Sequence, residues 1–316
     1  MTSPISAPAV DLRGLALDLV AAVAAAAVAG RRQLGSAGAV VDAVAVDALR
    51  AALAGIELDG VVIATEGAKD RAPMLHHGEH VGTGRGPAVD VAVDPIDGTA
   101  LVVAGRPGAV SVLAVTARGA MPDFREQHYV AKLAAGAGAG DLDIDAPIGD
   151  TLAVLARRRG CRVSELTVAV LDRPRHVTLA ADVRRAGARL ELFEGGDIVP
   201  AVRVAVENGG VDLLAGVGGA TEAMLTAAAL RALGGVFWCR ELASGRVHDA
   251  RALVGDDVLF VAAGVTDGAL LAGVEDRGET AIVDVLVLGT QQAPARIRTV
   301  SPARRGSLPS SIGGRV

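Results

Sequence analysis

The sequence predicts an α/β protein, and three observations carry that class. From residue 166 onward, short apolar strands alternate with helical segments. Earlier, the apolar strand Val91-Ala92-Val93 runs straight into Asp94-Pro95-Ile96-Asp97-Gly98-Thr99, which places polar groups at a strand end. Finally, 51% hydrophobic and 21% charged residues over 316 positions are enough to fill a large layered core. With four Phe, one Trp and one Tyr, that core must be built from Ala, Val, Leu and Gly, which favours close packing of helices on strands.

In chain order, Asp11 to Gly30 reads as one Ala-rich helix, closed by Arg31, Arg32 and Gly35. A second helix is expected over Ala39–Ala54, with Val40, Val44 and Leu49 on its apolar side. Gly60–Thr65 reads as a short buried strand ending at Glu66-Gly67, where a carboxylate is well placed for ligation. His77–Arg85 suits a loop or an edge strand. Ala88–Val93 is the strand that feeds DPIDGT, and Ser111–Thr116 is a strand expected beside it. Ala134–Pro147, rich in Gly, Ala and Asp, reads as a linker or wide loop between an N-terminal α+β half (11–145) and a C-terminal α/β half (146–302). In the second half the strands are expected at Leu166–Leu171, Arg189–Phe193, Val211–Leu214, Val258–Ala262 and Thr280–Leu288. Its helices are expected at Val177–Gly187, Pro200–Glu207 and Thr221–Leu233. The tail, 303–316, holds almost no core former and is expected to be disordered.

A formal net charge of -5 without a dense basic stripe argues against nucleic acid as a partner. Cys161 and Cys239 fit neither a zinc pattern nor a disulfide framework, which points to a reducing compartment. The apolar run Leu19–Ala29 is short and follows Asp11, Arg13 and Asp18, so neither a secretory signal nor a membrane span is expected. The expectation is a soluble, cytoplasmic protein.

The chemistry concentrates in DPIDGT. Asp94 and Asp97, separated by a rigid Pro-Ile, can turn both carboxylates to one point, as hard cations such as Mg²⁺ or Mn²⁺ require. Gly98 permits a tight turn, and Thr99 offers a hydroxyl and an N–H at a helix start, a place suited to phosphate. Asp-Pro and Asp-Gly are also ordinary turn dipeptides. The full string after an apolar strand is far more specific and reads as a phosphate-ester hydrolase site.

Several separated strings together resemble the class II fructose-1,6-bisphosphatases of bacteria, within the wider group of metal-dependent, lithium-sensitive sugar and inositol phosphatases. They are Glu66-Gly67 with Ala72-Pro73-Met74-Leu75, Val81-Gly82-Thr83-Gly84-Arg85-Gly86, VDPIDGT, Lys132-Leu133, Ser164-Glu165-Leu166-Thr167-Val168, Arg173-Pro174-Arg175-His176, Gly196-Asp197, Gly218-Gly219-Ala220-Thr221-Glu222 and Ala263-Gly264-Val265-Thr266. They span roughly residues 12 to 300 in the family's order. The resemblance implies a layered αβαβα sandwich, Mg²⁺ or Mn²⁺ as cofactor, a homo-oligomer, and removal of the 1-phosphate of a sugar bisphosphate by attack of an activated water.

The resemblance also implies roles for particular residues. Glu66, Asp94, Asp97 and Glu222 would be metal ligands, helped by the Ile96 carbonyl, with Glu66, Asp94 and Thr99 the catalytic set. Thr99 would orient the water and, with Gly98, touch the phosphate. Arg173 and Arg175 would take the distal phosphate, while Tyr129, Lys132 and Asp197 would line the sugar site. His76, His77 and His80 belong to a solvated loop on this reading.

The sequence also departs from the family. A Gly-Asp-Lys-Asn-like string before the second helix is here Gly35-Ser36-Ala37-Gly38-Ala39, which removes an active-site acid and a lysine. Asp42 matches the next acid along the same helix. Asp97 stands where the family often has Glu, Arg173 where it usually has Lys, and a charged insertion between Gly235 and Asp257 is mostly missing. Two readings follow: an active phosphatase for this or another sugar or cyclitol phosphate, or a catalytically impaired relative that binds a sugar phosphate or a partner subunit.

Overall fold

Small side chains set the architecture. Along β3 (Ala88–Asp97), Val91 and Val93 point to one side of the sheet and Ala92 to the other, the period-two alternation of a strand covered on both faces. A computed structural model describes residues 10–65, 75–124 and 127–302 of the chain. The predicted ligand Glu66 and the tail 303–316 lie outside the described residues.

Two mixed sheets form the frame. One has eight strands, β1 (Asp59–Thr65), β2 (His80–Val81), β3, β4 (Val110–Ala117), β11 (Val258–Gly264), β12 (Glu275–Asp276), β13 (Thr280–Gly289) and β14 (Gln292–Pro302). Their order is β12-β13-β11-β4-β3-β1-β2, with β14 also paired to β13. The other sheet has the six strands β5 (Tyr129–Ala135), β6 (Thr167–Leu171), β7 (Arg189–Phe193), β8 (Leu213–Gly219), β9 (Val236–Glu241) and β10 (Val247–Asp249), in the order β10-β9-β5-β8-β6-β7.

Three separate apolar cores interleave helices with these sheets. In the first, α1 (Ala16–Arg31) and α2 (Gly38–Leu53) set Leu19, Val23 and Leu49 against Val91, Val93 and Val261 of the larger sheet. Between the sheets, α6 (Ile198–Arg203), α7 (Ala220–Leu233) and α8 (Ala250–Val254) pack with Ala92, Val112, Phe260 and Phe237. On the far face of the smaller sheet, α4 (Ile148–Arg159) and α5 (Val177–Arg185) bury Leu152, Leu155 and Val183 against Val168 and Val170. The short helix α3 (Thr99–Val103) follows β3 directly. The layers run αβαβα, as the resemblance implied. With the turn before it, α1 is the one helix among the described residues long and apolar enough to cross a membrane. Its Leu19, Ala22, Val23 and Ala26 are instead fully buried in the first core.

Sheet membership crosses the expected division of the chain at residue 145, because β5 belongs to the smaller sheet while residues 258–302 return to the larger one. The linker expected at Ala134–Pro147 begins later, since β5 runs to Ala135. The strand expected at Val211–Leu214 lies further on, and continues as β8 through the glycines to Gly219, each residue paired across to β5. The ambiguous segment before residue 86 contains the two-residue edge strand β2.

Candidate active site

The site is built at strand ends. β1 and β3 run parallel, with Thr65 opposite Val93, so the two strands end side by side. Against β4, the register slips between Asp94 and Asp97, which face Val112 and Val110. Pro95 lies inside that irregularity, where a strand tolerates a residue without an N–H. Both aspartates are buried, Asp94 at 0% exposure and Asp97 at 3%. The Ile96 N–H donates to Asp94 Oδ1 at 3.0 Å, and the Ile198 N–H donates to Asp97 Oδ2 at 3.2 Å. Gly98 then turns the chain at φ +92°, a conformation that favours glycine, and hands it to Thr99 at the start of α3.

Thr99 is held by an acid from a different element. Its hydroxyl donates to Asp42 Oδ1 on α2 at 2.6 Å, with the Ile96 carbonyl a longer alternative at 3.2 Å. Asp42 lies four residues after Gly38, hence on the same helix face, and a Cβ at Gly38 would touch the Thr99 methyl at 3.4 Å. The departure at Ala37 and Gly38 therefore leaves Thr99 with a carboxylate partner one turn further along. In the sequence Asp42 stands as a candidate to compensate for the lost acid, without a partner assigned to it. The signal available was its i+4 spacing from a glycine that permits close approach.

Glu222 sits in the first turn of α7, directly after β8. Any side chain at Gly219 would collide with its carboxylate, so the glycine makes room for that side chain. The Thr221 hydroxyl donates to the Thr65 carbonyl at 2.9 Å, which ties the start of α7 to the end of β1. The residues flanking Glu66 and Glu222 are thus joined although 156 positions separate them.

The predicted substrate residues gather at the matching end of the smaller sheet. Tyr129 begins β5 opposite Gly219 and is 44% exposed. The Arg175 guanidinium lies 5.4 Å from its ring centroid, and Arg175 Nε and Nη2 donate to the Val217 carbonyl at 3.1 and 2.8 Å. Arg173 is half-buried and donates to the Asp172 carbonyl. Lys132, 3% exposed, gives its Nζ to Asp197 Oδ2 at 2.6 Å. It is engaged inside the protein rather than extended toward solvent. The second oxygen, Asp197 Oδ1, is buried with no hydrogen-bond partner among the described residues.

Among the described residues, no three His, Cys, Asp or Glu side chains form a metal-sized cluster. What β3 contributes is oxygen only, two buried carboxylates and the Ile96 carbonyl, a donor set that suits a hard divalent cation. In the histidine loop, His77 Nδ1 is 2.8 Å from the Ile63 carbonyl.

Buried carboxylates at the end of β3, a hydroxyl held by a carboxylate and a pair of arginines suit the chemistry of a phosphoric monoester hydrolase. The chain belongs to the family described as bacterial fructose-1,6-bisphosphatase, glpX-encoded, whose model matches residues 13–301. It is 35% identical to the fructose-1,6-bisphosphatase 1 class 2 of Escherichia coli K12, over 91% of this chain and 95% of that protein. The fructose-1,6-bisphosphatase class 2 proteins of another E. coli strain, O6:H1, and of Shigella flexneri match with the same identity and coverage. Members of this family are metal-dependent sugar-bisphosphate phosphatases.

Proposed function

We propose that this chain is an active phosphatase that hydrolyses the 1-phosphate of fructose-1,6-bisphosphate or a closely related sugar bisphosphate, with Mg²⁺ or Mn²⁺. The observation that carries this reading over a catalytically impaired relative is the 2.6 Å bond from the Thr99 hydroxyl to Asp42. It supports a working Thr–Asp pair even though the family's acid is Ala37 here.

On this reading Asp94, Asp97 and the Ile96 carbonyl, with Glu66 and Glu222, hold the cations, which supply charge neutralisation for the phosphoryl oxygens and the leaving alkoxide. The protein's own groups do the rest. With its proton committed to Asp42, Thr99 Oγ1 presents lone pairs that accept from the attacking water and aim it at phosphorus. The water oxygen bonds to phosphorus as the bond to the sugar oxygen breaks, the water's proton passes by way of Thr99 to the Asp42 carboxylate, and a solvent water protonates the departing sugar oxygen. The N–H groups of Gly98 and Thr99 face the transferred phosphate, and Arg173 and Arg175 take the distal one. The unpartnered Asp197 Oδ1 is an acceptor for a sugar hydroxyl, kept in place by Lys132. Tyr129, exposed at the start of β5, is assigned to the sugar on the same reading. The buried face of α1 supports a soluble enzyme, and we place it in the cytoplasm as a homo-oligomer.

Phosphate release from a panel of sugar and cyclitol phosphates, including fructose-1,6-bisphosphate, tests this with each metal and with Asp94→Ala. Release that Asp94→Ala abolishes is expected. Preference for a different sugar or cyclitol phosphate would move the substrate but keep the chemistry. No release from any compound would overturn the proposal in favour of the binding protein.

A further inference from the structure

His176 has none of the roles assigned above, yet it is 4% exposed and fully engaged. Its Nδ1 lies 2.7 Å from the Leu171 carbonyl at the end of β6. A carbonyl only accepts, so this nitrogen carries the proton. Nε2 is then bare, and it accepts the Val217 N–H of β8 at 2.8 Å. Arg175, one residue earlier, takes the Val217 carbonyl. Two consecutive side chains therefore hold both backbone polar groups of one residue in β8. The ring also covers Gly216, at φ +146°, where a Cβ would stand 3.1 Å from Nε2.

We propose that neutral, Nδ1-protonated His176 is a positioning residue that locks the Arg173–Arg175 segment onto β8 and so fixes the guanidinium groups at the distal phosphate of the substrate. This rests on the reading that Arg173 and Arg175 bind that phosphate. A proton on Nε2 would set N–H against the Val217 N–H and release the segment. Burial holds the His176 pKa below its ordinary value, the Leu171 carbonyl pulls it back up, and the charges of Arg175 and Arg173 lower it further. On β5, Lys132 pairs opposite Gly216, and its charge is met by Asp197.

The test compares wild type, His176→Gln, which keeps an acceptor toward Val217, and His176→Leu, which keeps neither bond. Substrates are fructose-1,6-bisphosphate and p-nitrophenyl phosphate, which lacks a distal phosphate. For the leucine variant, KM for the bisphosphate should rise about ten- to a hundredfold. Its kcat should fall much less than KM rises, hydrolysis of the monoester should suffer far less, and glutamine should recover most of the loss. An unchanged KM in a folded variant, or equal losses on both substrates, would overturn the proposal. Should the leucine variant fail to fold, ¹⁵N-edited NMR of the wild-type imidazole decides: a neutral Nδ1–H ring that persists below the pH at which an ordinary imidazole takes up a proton is expected, and an Nε2–H or charged ring at pH 7 sinks it. Wild type inactive on every substrate would instead defeat the phosphatase reading itself.

Discussion

The Thr99 hydroxyl has one proton and two acceptors in reach, and the 0.6 Å difference between 2.6 and 3.2 Å gives it to Asp42 rather than to the Ile96 carbonyl. A charge-assisted bond to a carboxylate is the stronger of the two, and it leaves the oxygen's lone pairs pointing away from α2. From this comes a prediction for a single side chain. Asp42→Ala should lower kcat by about two to three orders of magnitude with little change in KM, because orientation and proton acceptance are lost while phosphate binding is not. Asp42→Asn, which keeps an acceptor but not the charge, should fall between the two. Steady-state kinetics on the preferred substrate measures both, and a wild-type kcat in Asp42→Ala would mean that Thr99 works alone. At this scale the sequence was informative where residues stand in a compact string. Asp94, Asp97, Gly98 and Thr99 were legible because a strand, a turn and a helix start are consecutive. The Asp42–Thr99 pairing was not, since it depends on how α2 lies against α3, 57 positions away. The engagement of Lys132 by Asp197 was hidden for the same reason, with 65 positions between the partners.

Elements with long apolar runs were readable, while α4 and β9 were not, although one buries Leu152 and Leu155 and the other alternates buried with half-buried residues. α1 and α2 announce themselves by Ala, Val and Leu at helical spacing, and β3, β4 and β11 by continuous apolar runs. β14 was missed because it is mostly exposed, carries Pro294, Arg296 and Arg298, and is held by pairing to β13 rather than by burial. β5 was missed because Lys132 interrupts its apolar run and its end, Ala134-Ala135, merges with the Gly- and Ala-rich stretch that follows. The β13–β14 pair rests partly on Asp284, buried in β13 and held by Arg296 Nε at 3.0 and 2.9 Å and by the Ala272 N–H at 2.9 Å. Burial raises the pKa of that carboxyl, but Arg296 and the Ala272 N–H outweigh it, so the folded value lies below the ordinary one. A depressed folded pKa means the contribution is complete above the unfolded value, about 4, and is lost as pH falls through the folded value. Arg296→Leu should therefore cost about 1–3 kcal/mol at pH 7, where it strands a buried charge, and the gap to wild type should narrow toward pH 3. Urea unfolding of both proteins at the two pH values tests it. A gap that does not change with pH would assign the role of Arg296 to packing.

At the scale of the whole molecule, the site lies where elements from distant parts of the chain converge. β1 and β3 supply it from the larger sheet, β8 and α7 come from the smaller sheet and the layer between, and two bonds stitch the parts together, Thr221 to Thr65 and Ile198 to Asp97. The layered class was legible because alternation of strands and helices is local. Sheet membership was not, because the return of residues 258–302 to the first sheet is a property of the topology and not of any sequence window. This arrangement has a thermodynamic consequence. On the proposed assignment, Asp94 and Asp97 hold a cation that binds the folded chain and not the unfolded one, because the slip in β3 that buries both carboxylates exists only in the fold. Added Mg²⁺ or Mn²⁺ at about 100 times its dissociation constant should stabilise the fold by about 2.7 kcal/mol. Chelation should therefore lower the melting temperature by several degrees, and metal should restore it, while Asp94→Ala melts at the same temperature with and without metal. Because the readout is melting and not turnover, it separates cation binding at β3 from competence in catalysis. An Asp94→Ala protein that still gains stability from metal would place the cation away from β3 and remove the basis for assigning Asp94 and Asp97 as its ligands.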